Sequence, residues 1–425
     1  MTKTNLNWSG FSKKTFEERL QLIEKFKLLN AENLNQLKTD VLLPIQTANQ
    51  MTENVLGRLA LPFSIAPDFL VNGSTYQMPF VTEEPSVVAA ASFAAKLIKR
   101  SGGFKAQTLN RQMIGQIVLY DIDQIDNAKA AILHKTKKLI ALANKAYPSI
   151  VKRGGGARTI HLEEKGEFLI FYLTVDTQEA MGANMVNTMM EALVPDLTRL
   201  SKGHCLMAIL SNYATESLVT TSCEIPVRLL DHDKTKSLQL AQKIELASRL
   251  AQVDPYRATT HNKGIFNGID AVVIATGNDW RAIEAGAHAY ASRNGSYQGL
   301  SQWHFDQDKQ VLLGQMTLPM PIASKGGSIG LNPTVSIAHD LLNQPDAKTL
   351  AQLIASVGLA QNFAALKALT SSGIQAGHMK LHAKSLALLA GATQDEIAPL
   401  VNALLADKPI NLEKAHFYLS QLRQS

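Results

Sequence analysis

The sequence predicts an α/β fold divided among two or three domains, and three observations carry that prediction. The chain has 425 residues, too many for one ordinary core. Between about 105 and 220, strand-like and helix-like stretches alternate in the order strand, helix, strand, helix, strand. On either side, alanine-rich segments with helical spacing dominate.

Residues 15–38 read as one helix. Thr15 and Glu18 have capping-box spacing, and Phe16, Leu20, Ile23 and Phe26 form an apolar stripe. Residues 53–62 are a turn into an extended segment that ends at Pro62. VTEEPSVVAAASFAAKLIKRSGG, starting at Val81, predicts a helix with Pro85 at its start and a Gly-Gly stop. QMIGQIVLYDI from Gln112 is a strand, 125–146 a helix, and GEFLIFYLTVDT at 166–177 a strand of high β-propensity. A helix follows at 180–197 and a strand at 205–214. Residues 221–374 return to helical patterns, with strands expected at AVVIAT (271–276) and QVLLGQMTLPMP (310–321). The tail beyond Gly373 reads as short helices broken at Gly391.

Net charge is 42 − 36 = +6. That is a mild excess, which serves solubility or draws an anionic ligand. No Lys/Arg run with interleaved aromatics occurs, so nucleic acid is a poor expectation. Cys205 and Cys223 lie far apart with no CxxC, which fits a reducing compartment and gives no metal signature. The first twenty residues lack an apolar core of signal-peptide type. No window approaches about 18 uninterrupted apolar residues, so a chain in the cytoplasm without a membrane span is expected. GxGxxG, GxxxxGK[ST] and HExxH are absent, which leaves a Rossmann fingerprint unsupported. Composition and periodicity alone stop at a multi-domain α/β enzyme.

The densest polar segment runs from Arg257 to Arg293. An unpaired buried polar atom costs about 1–3 kcal/mol, so such density beside an apolar strand marks a site. Lys263 and Asp279, on either side of that strand, are a structural ion pair or a cation with its proton partner. A lysine there offsets charge developing on a carbonyl oxygen. Gly264 and Gly268 would let backbone approach a ligand. Glu83 and Glu84 are either a helix N-terminal charge pair or, for one of them, a buried general acid. His378 and His382, four apart, are surface histidines or include a proton donor titrating near neutrality. Small residues in DTQEAMGANMVNT (176–188) would leave helix N–H groups free for a pyrophosphate.

THNKG at 260–264, GNDWRAIEAGAHAYA at 277–291, TEEPSVVAAAS at 82–92 and GHMKLHAKS at 377–385 occur in that family's order and resemble class II 3-hydroxy-3-methylglutaryl-CoA (HMG-CoA) reductase. The resemblance extends from about Ser9 to the C-terminus. It implies a large, mainly helical substrate domain from 1–107 and 219–372. A ferredoxin-like dinucleotide-binding domain, 108–218, is inserted in it, and a small helical flap domain covers 373–425. It implies reduction of HMG-CoA to mevalonate and CoA, with NADPH as cofactor, NADH possible and no metal. It also implies a homodimer whose active sites lie between subunits, one chain supplying Glu84, Lys263 and Asp279.

Matched residue by residue, Glu84 is the acid, Lys263 the oxyanion stabiliser, Asp279 its coupled partner and His378 the donor to the departing thiolate. Ser86, Arg257, Asn267 and Asn212 bind substrate. The resemblance places Glu179, Met181, Gly182, Ala183 and Asn184 against the cofactor, with Glu179 where an aspartate is common. Tyr147 replaces an aspartate that repels a 2′-phosphate in NADH-specific members, and Lys152 and Arg153 stand near it with positive charge. NADPH is therefore the expected cofactor. Mevalonate oxidation by the same enzyme is an alternative. So is a non-catalytic CoA-binding dimer, although all four catalytic positions are kept.

Overall fold

A reciprocal cap starts the first helix. Thr15 Oγ1 accepts from the N–H of Glu18 at 3.2 Å, and the Glu18 carboxylate accepts from the N–H of Thr15 at 2.8 Å. α1 (Phe16–Lys25) therefore begins where the capping box predicts. The single helix expected over 15–38 is two. Lys27 is left-handed, and Asn30 recaps the chain by accepting from Asn33 N at 2.8 Å, which opens α2 (Ala31–Lys38). The structure is a computed structural model that describes residues 6–327, 329–371 and 375–424; the side chains of 375–378, 380 and 381 lie outside the description.

After α3 (Ile45–Met51), residues 53–62 form no helix or strand. β1 (Phe63–Val71) and β2 (Ser74–Val81) then make a hairpin closed by Asn72 and Gly73, both at positive φ. No expectation covered this hairpin. α4 (Val87–Arg100) has Ser86 at its N-cap position without a side-chain capping bond, so Pro85 sits in the preceding turn and not in the helix. Gly102 and Gly103 end it as expected, at φ of 109° and 86°. β3 (Phe104–Thr108) follows.

β4 (Gln112–Tyr120) leads to α5 (Ile125–His134) and α6 (Thr136–Ala146), two helices where one was expected, with the break at Lys135. α7 (Pro148–Lys152), β5 (Gly156–Lys165), β6 (Phe168–Asp176), α8 (Ala183–Ser201) and β7 (His204–Ser211) complete the unit. β5 was not anticipated. The order βαββαβ and the antiparallel sheet β5-β6-β4-β7 are those of a ferredoxin-like unit. Met113, Ile117, Phe171, Val186 and Met190 lie in its separate core.

β8 (Leu218–Pro226) returns the chain to the first sheet, where it pairs antiparallel with β3, Thr108 opposite Val219. The inserted unit therefore leaves and re-enters through neighbouring strands. α9 (Lys234–Val253), α10 (Pro255–Ala275), α11 (Trp280–Ala291), β9 (Ser301–Asp306), β10 (Val311–Pro319) and α12 (Pro333–Leu341) follow. The six-stranded sheet runs β2-β1-β3-β8-β10-β9.

α13 (Ala347–Thr370) crosses the centre of the large core against α4, α9 and α10. Among the described residues it is the one helix long and apolar enough to cross a membrane. Its apolar window is 83% buried inside the protein, as a core helix requires. α14 (Gln375–Leu389), α15 (Gln394–Ala406) and α16 (Leu412–Gln424) share a small core of their own around Leu400 and Leu404.

Candidate active site

The strand expected at 271–276 is instead the last turn of α10, which ends at Ala275. Asp254 caps α10 by accepting from Tyr256 N and Arg257 N, with Pro255 in the first turn. Val272, Val273 and Ile274 suggest a strand by β-propensity alone. Yet Ile265, Ile269, Val272 and Val273 are buried at helical spacing against α13 and β2, so tertiary packing decides. The glycines divide. A Cβ on Gly268 would fall 2.9 Å from Val357 Cγ1, so this glycine serves helix packing and not ligand approach. A Cβ on Gly264 would meet nothing.

A buried polar network anchors the first half of α10. His261 Nε2 lies 2.7 Å from Ser301 Oγ and 3.1 Å from Asn362 Nδ2, and Asn362 Oδ1 accepts from Trp303 Nε1 at 2.8 Å. Burial, then the Arg257 charge, lowers the His261 pKa to about 4, so the ring is neutral. Lys263 therefore projects from a fixed backbone. Its Nζ donates to Glu84 Oε2 at 2.7 Å. Glu84 stands in the turn before α4 and its N–H donates to Thr82 Oγ1. Ser86 follows at φ 76°, a left-handed conformation that costs a non-glycine residue about 1 kcal/mol or more and is common at functional sites.

Glu84 was expected to be buried. Its side chain is 40% exposed, because one face of the Lys263–Glu84 pair is open to solvent. Asn267 is half-buried one turn along α10 from Lys263. Arg257 is in the first turn, with its Nε buried and unpartnered. Asn212 is exposed beyond β7, and Gly286 of α11 packs against its carbonyl.

Asp279 is not brought to Lys263 within the chain. From Lys263 to Ala275, α10 runs 275 − 263 = 12 residues, about 18 Å at helical rise. Asp279 lies beyond that end as the N-cap of α11, accepting from Ala282 N at 3.1 Å with Arg281 at 3.6 Å. The expected coupling fails here because the intervening segment is a rigid helix and not a short strand. Along α10, Asp270 lies beside Glu284 of α11. Burial first, then the Glu284 charge, raises the Asp270 pKa to about 8.

Asp279 instead borders a cleft of about 970 Å³ between the inserted unit and the large domain. Tyr147, Arg153, Met181, Gly182, Ala183 and Asn184 line it. Lys152 is exposed on the last turn of α7 and does not line it, so the two basic residues expected to act together are separated. Gly182, at φ 93°, opens α8 with no side-chain cap, and the free N–H groups of a 19-residue helix suit an anion.

Glu179 lines the cleft, but its carboxylate is engaged elsewhere. It accepts from Ser324 Oγ and, at 2.8 Å, from Ala347 N at the start of α13. Arg281, Lys325, Gly326 and Gly327 also line the cleft and were missed. The Lys-Gly-Gly run at 325–327 was the available signal. α14 carries His378; its side chain lies outside the described residues, and His382 is exposed. The expected flap boundary at 373 also lies outside them. No cluster of three His, Cys, Asp or Glu side chains able to hold a metal occurs among the described residues.

The family model described as hydroxymethylglutaryl-coenzyme A reductase matches residues 15–383. The chain is 42% identical to the 3-hydroxy-3-methylglutaryl-coenzyme A reductase of Archaeoglobus fulgidus, over 97% of this chain and 94% of that one. It is 34% identical to a probable enzyme of the same name from Borreliella burgdorferi, over 89% and 86%. A solved Streptococcus pneumoniae enzyme superposes with a TM-score of 0.86 at 61% identity, covering 98% of this chain and all of that one. A class II structure from the same organism, bound to NADPH in open conformations, gives 0.84 at 62% identity, covering 96% and 100%.

Proposed function

The chain belongs to the hydroxymethylglutaryl-coenzyme A reductase family, and we propose that its Lys263–Glu84 pair and its basic cleft perform the two reductions that convert HMG-CoA to mevalonate. The contact at 2.7 Å between a lysine and a glutamate on an accessible face carries this reading. The cleft fits a dinucleotide, since the uncapped N-terminus of α8 and the side chains of Arg153, Arg281 and Lys325 border it. NADPH supplies the hydride in each reduction.

Lys263 holds the oxyanion formed at the thioester carbon. As the carbonyl re-forms, the C–S bond breaks, and His378 gives its proton to the departing thiolate. Lys263 then holds the oxygen of mevaldehyde during the second reduction, and Glu84 delivers the proton that completes the alcohol. Ser86, Arg257, Asn267 and Asn212 orient the hydroxymethylglutaryl group.

The working unit is a homodimer. Asp279 joins Lys263 across the subunit boundary, which reconciles its assigned role with the separation of about 18 Å along one chain. The run 53–62 supports this: Leu56 is fully exposed and Leu59 is 89% exposed, apolar surface that a second copy would cover. Such cover would also remove Glu84 from water, as a general acid needs. The large domain comprises 1–107 and 219–372, the cofactor domain 108–218 and the flap 373–425, a division that the separate cores support. Flap closure brings His378 to the site. The enzyme works in the cytoplasm.

Arg153 in the cleft, with Tyr147 in place of an acid, favours NADPH over NADH. The test is spectrophotometric: NADPH oxidation that depends on HMG-CoA, with mevalonate identified as product. A protein that binds HMG-CoA and oxidises no NADPH is a CoA-binding dimer and not a reductase.

A further inference from the structure

One short segment ties together the two sides of the cleft. Asn278, next to Asp279, grips both main-chain groups of Ala323: its Nδ2 donates to the carbonyl at 3.0 Å and its Oδ1 accepts the N–H at 2.8 Å. On the cofactor side, the Glu179 carbonyl accepts from Ser324 N at 3.0 Å and Lys325 N at 3.3 Å. The Glu179 carboxylate takes Ser324 Oγ and Ala347 N as well. Arg111 holds the neighbouring carbonyls of Gln178 and Ala180. The backbone at Lys325 is thus fixed from both domains.

Lys325 itself is exposed on the cleft wall, and no ion pair engages it among the described residues. Arg281, which also lines the cleft, already faces Asp279 at 3.6 Å and lies over the Trp280 ring. Gly326 and Gly327, both at positive φ, follow Lys325 without side chains that would hinder a close approach. An unpaired cation on a fixed backbone, bordering a cleft beside an uncapped helix N-terminus, calls for an anion.

We propose that Lys325 binds a phosphate of the dinucleotide and that Glu179 is a positioning residue which holds Lys325 in place. The proposal rests on the cofactor reading above; it adds Lys325, which lies outside the expected cofactor set, and gives Glu179 a role other than the direct contact expected of it. Glu179 acts on the cofactor through Lys325 and not by contact.

Equilibrium binding of NADPH and NADH to the intact protein, read by nicotinamide fluorescence, tests it. Lys325→Gln should weaken NADPH binding about tenfold, the scale of one charge-assisted contact. Lys325→Arg should bind close to wild type. Equal loss for both dinucleotides assigns the pyrophosphate, and loss for NADPH alone assigns the 2′-phosphate. Added salt should weaken the wild type more than Lys325→Gln. Glu179→Ala should weaken binding in the wild-type background and add little to Lys325→Gln, because the two act in series. Lys325→Gln binding both dinucleotides like wild type overturns the proposal, and fully additive losses remove Glu179 from it. A wild-type protein that binds neither dinucleotide would instead overturn the cofactor reading itself.

Discussion

Lys263 and Glu84 stand 179 positions apart in the chain and meet at 2.7 Å, one on the exposed face of α10 and the other on the turn before α4. An exposed pair of this kind contributes under about 1 kcal/mol to stability. Its cost in accessible charge is better explained by chemistry than by folding. Lys263→Ala should therefore keep the melting temperature nearly unchanged while abolishing reduction of both HMG-CoA and mevaldehyde. Near-normal turnover of mevaldehyde would take the oxyanion role away from Lys263.

The cleft separates two neighbours that look equivalent in sequence. Arg153→Gln should raise the Michaelis constant for NADPH more than for NADH, because Arg153 borders the cleft. Lys152→Gln should alter neither by much. Equal effects of the two substitutions would mean that the wall seen here is not the one that reads the cofactor.

His378 and His382 lie one turn apart on α14. His378→Gln should strongly reduce HMG-CoA reduction and spare mevaldehyde reduction, which expels no thiolate. His382→Gln should spare both. Steady-state rates with the two substrates decide, and the reverse pattern would shift the assignment by one turn.

Asp270 gives a pH dependence whose sign is fixed. Its folded pKa is raised from 3.8 to about 8, so between those values the folded state holds a proton that the unfolded state has lost. This contribution to stability is complete below about pH 4 and is lost as pH rises toward about 8. Asp270→Asn has no such term, so its melting temperature should gain on the wild type as pH rises across that window. Parallel melting curves from pH 5 to 9 would show that Asp270 does not carry this proton.

The two glycines of α10 should respond in opposite ways. Gly264→Ala meets open space and should stabilise the helix by about 0.5–1 kcal/mol. Gly268→Ala pushes against Val357 and Gln361 and should destabilise the packing of α10 on α13. Chemical denaturation of the two variants measures the difference.

Local signals were legible where a single physical cause acts. The Thr15 capping box, the Gly102-Gly103 stop and the strand from Gln112 are each set by a few neighbours. The Asn72-Gly73 hairpin signal was equally local and went unread. α10 was misread because β-branched Val272 and Val273 favour a strand until the burial of Ile265 and Ile269 on the same face is known. β5 was hidden since it starts on Gly156 and its charged residues Arg158, Glu163, Glu164 and Lys165 interrupt the apolar alternation that marks a strand. Of the site, motif matching named Lys263 and Glu84, and the fold brings their side chains to 2.7 Å. The distance of Asp279 and the engagement of Glu179 depend on helix length and on partners more than a hundred positions away.

Because Thr108 and Val219 face each other across β3 and β8, the inserted unit hangs from adjacent strands of a sheet that is otherwise complete. On the proposed function, the half that would bind HMG-CoA and the half that would bind the dinucleotide are in this sense separable parts. A tight turn joining 108 to 219 would leave the six-stranded sheet in register and yield a minimal acyl-CoA receptor. Transplanting another ferredoxin-like unit at the same two strands offers a route to a reductase with a different electron donor, with the bonds from Asn278 and Glu179 to the 323–325 segment as the joint that such a graft must rebuild.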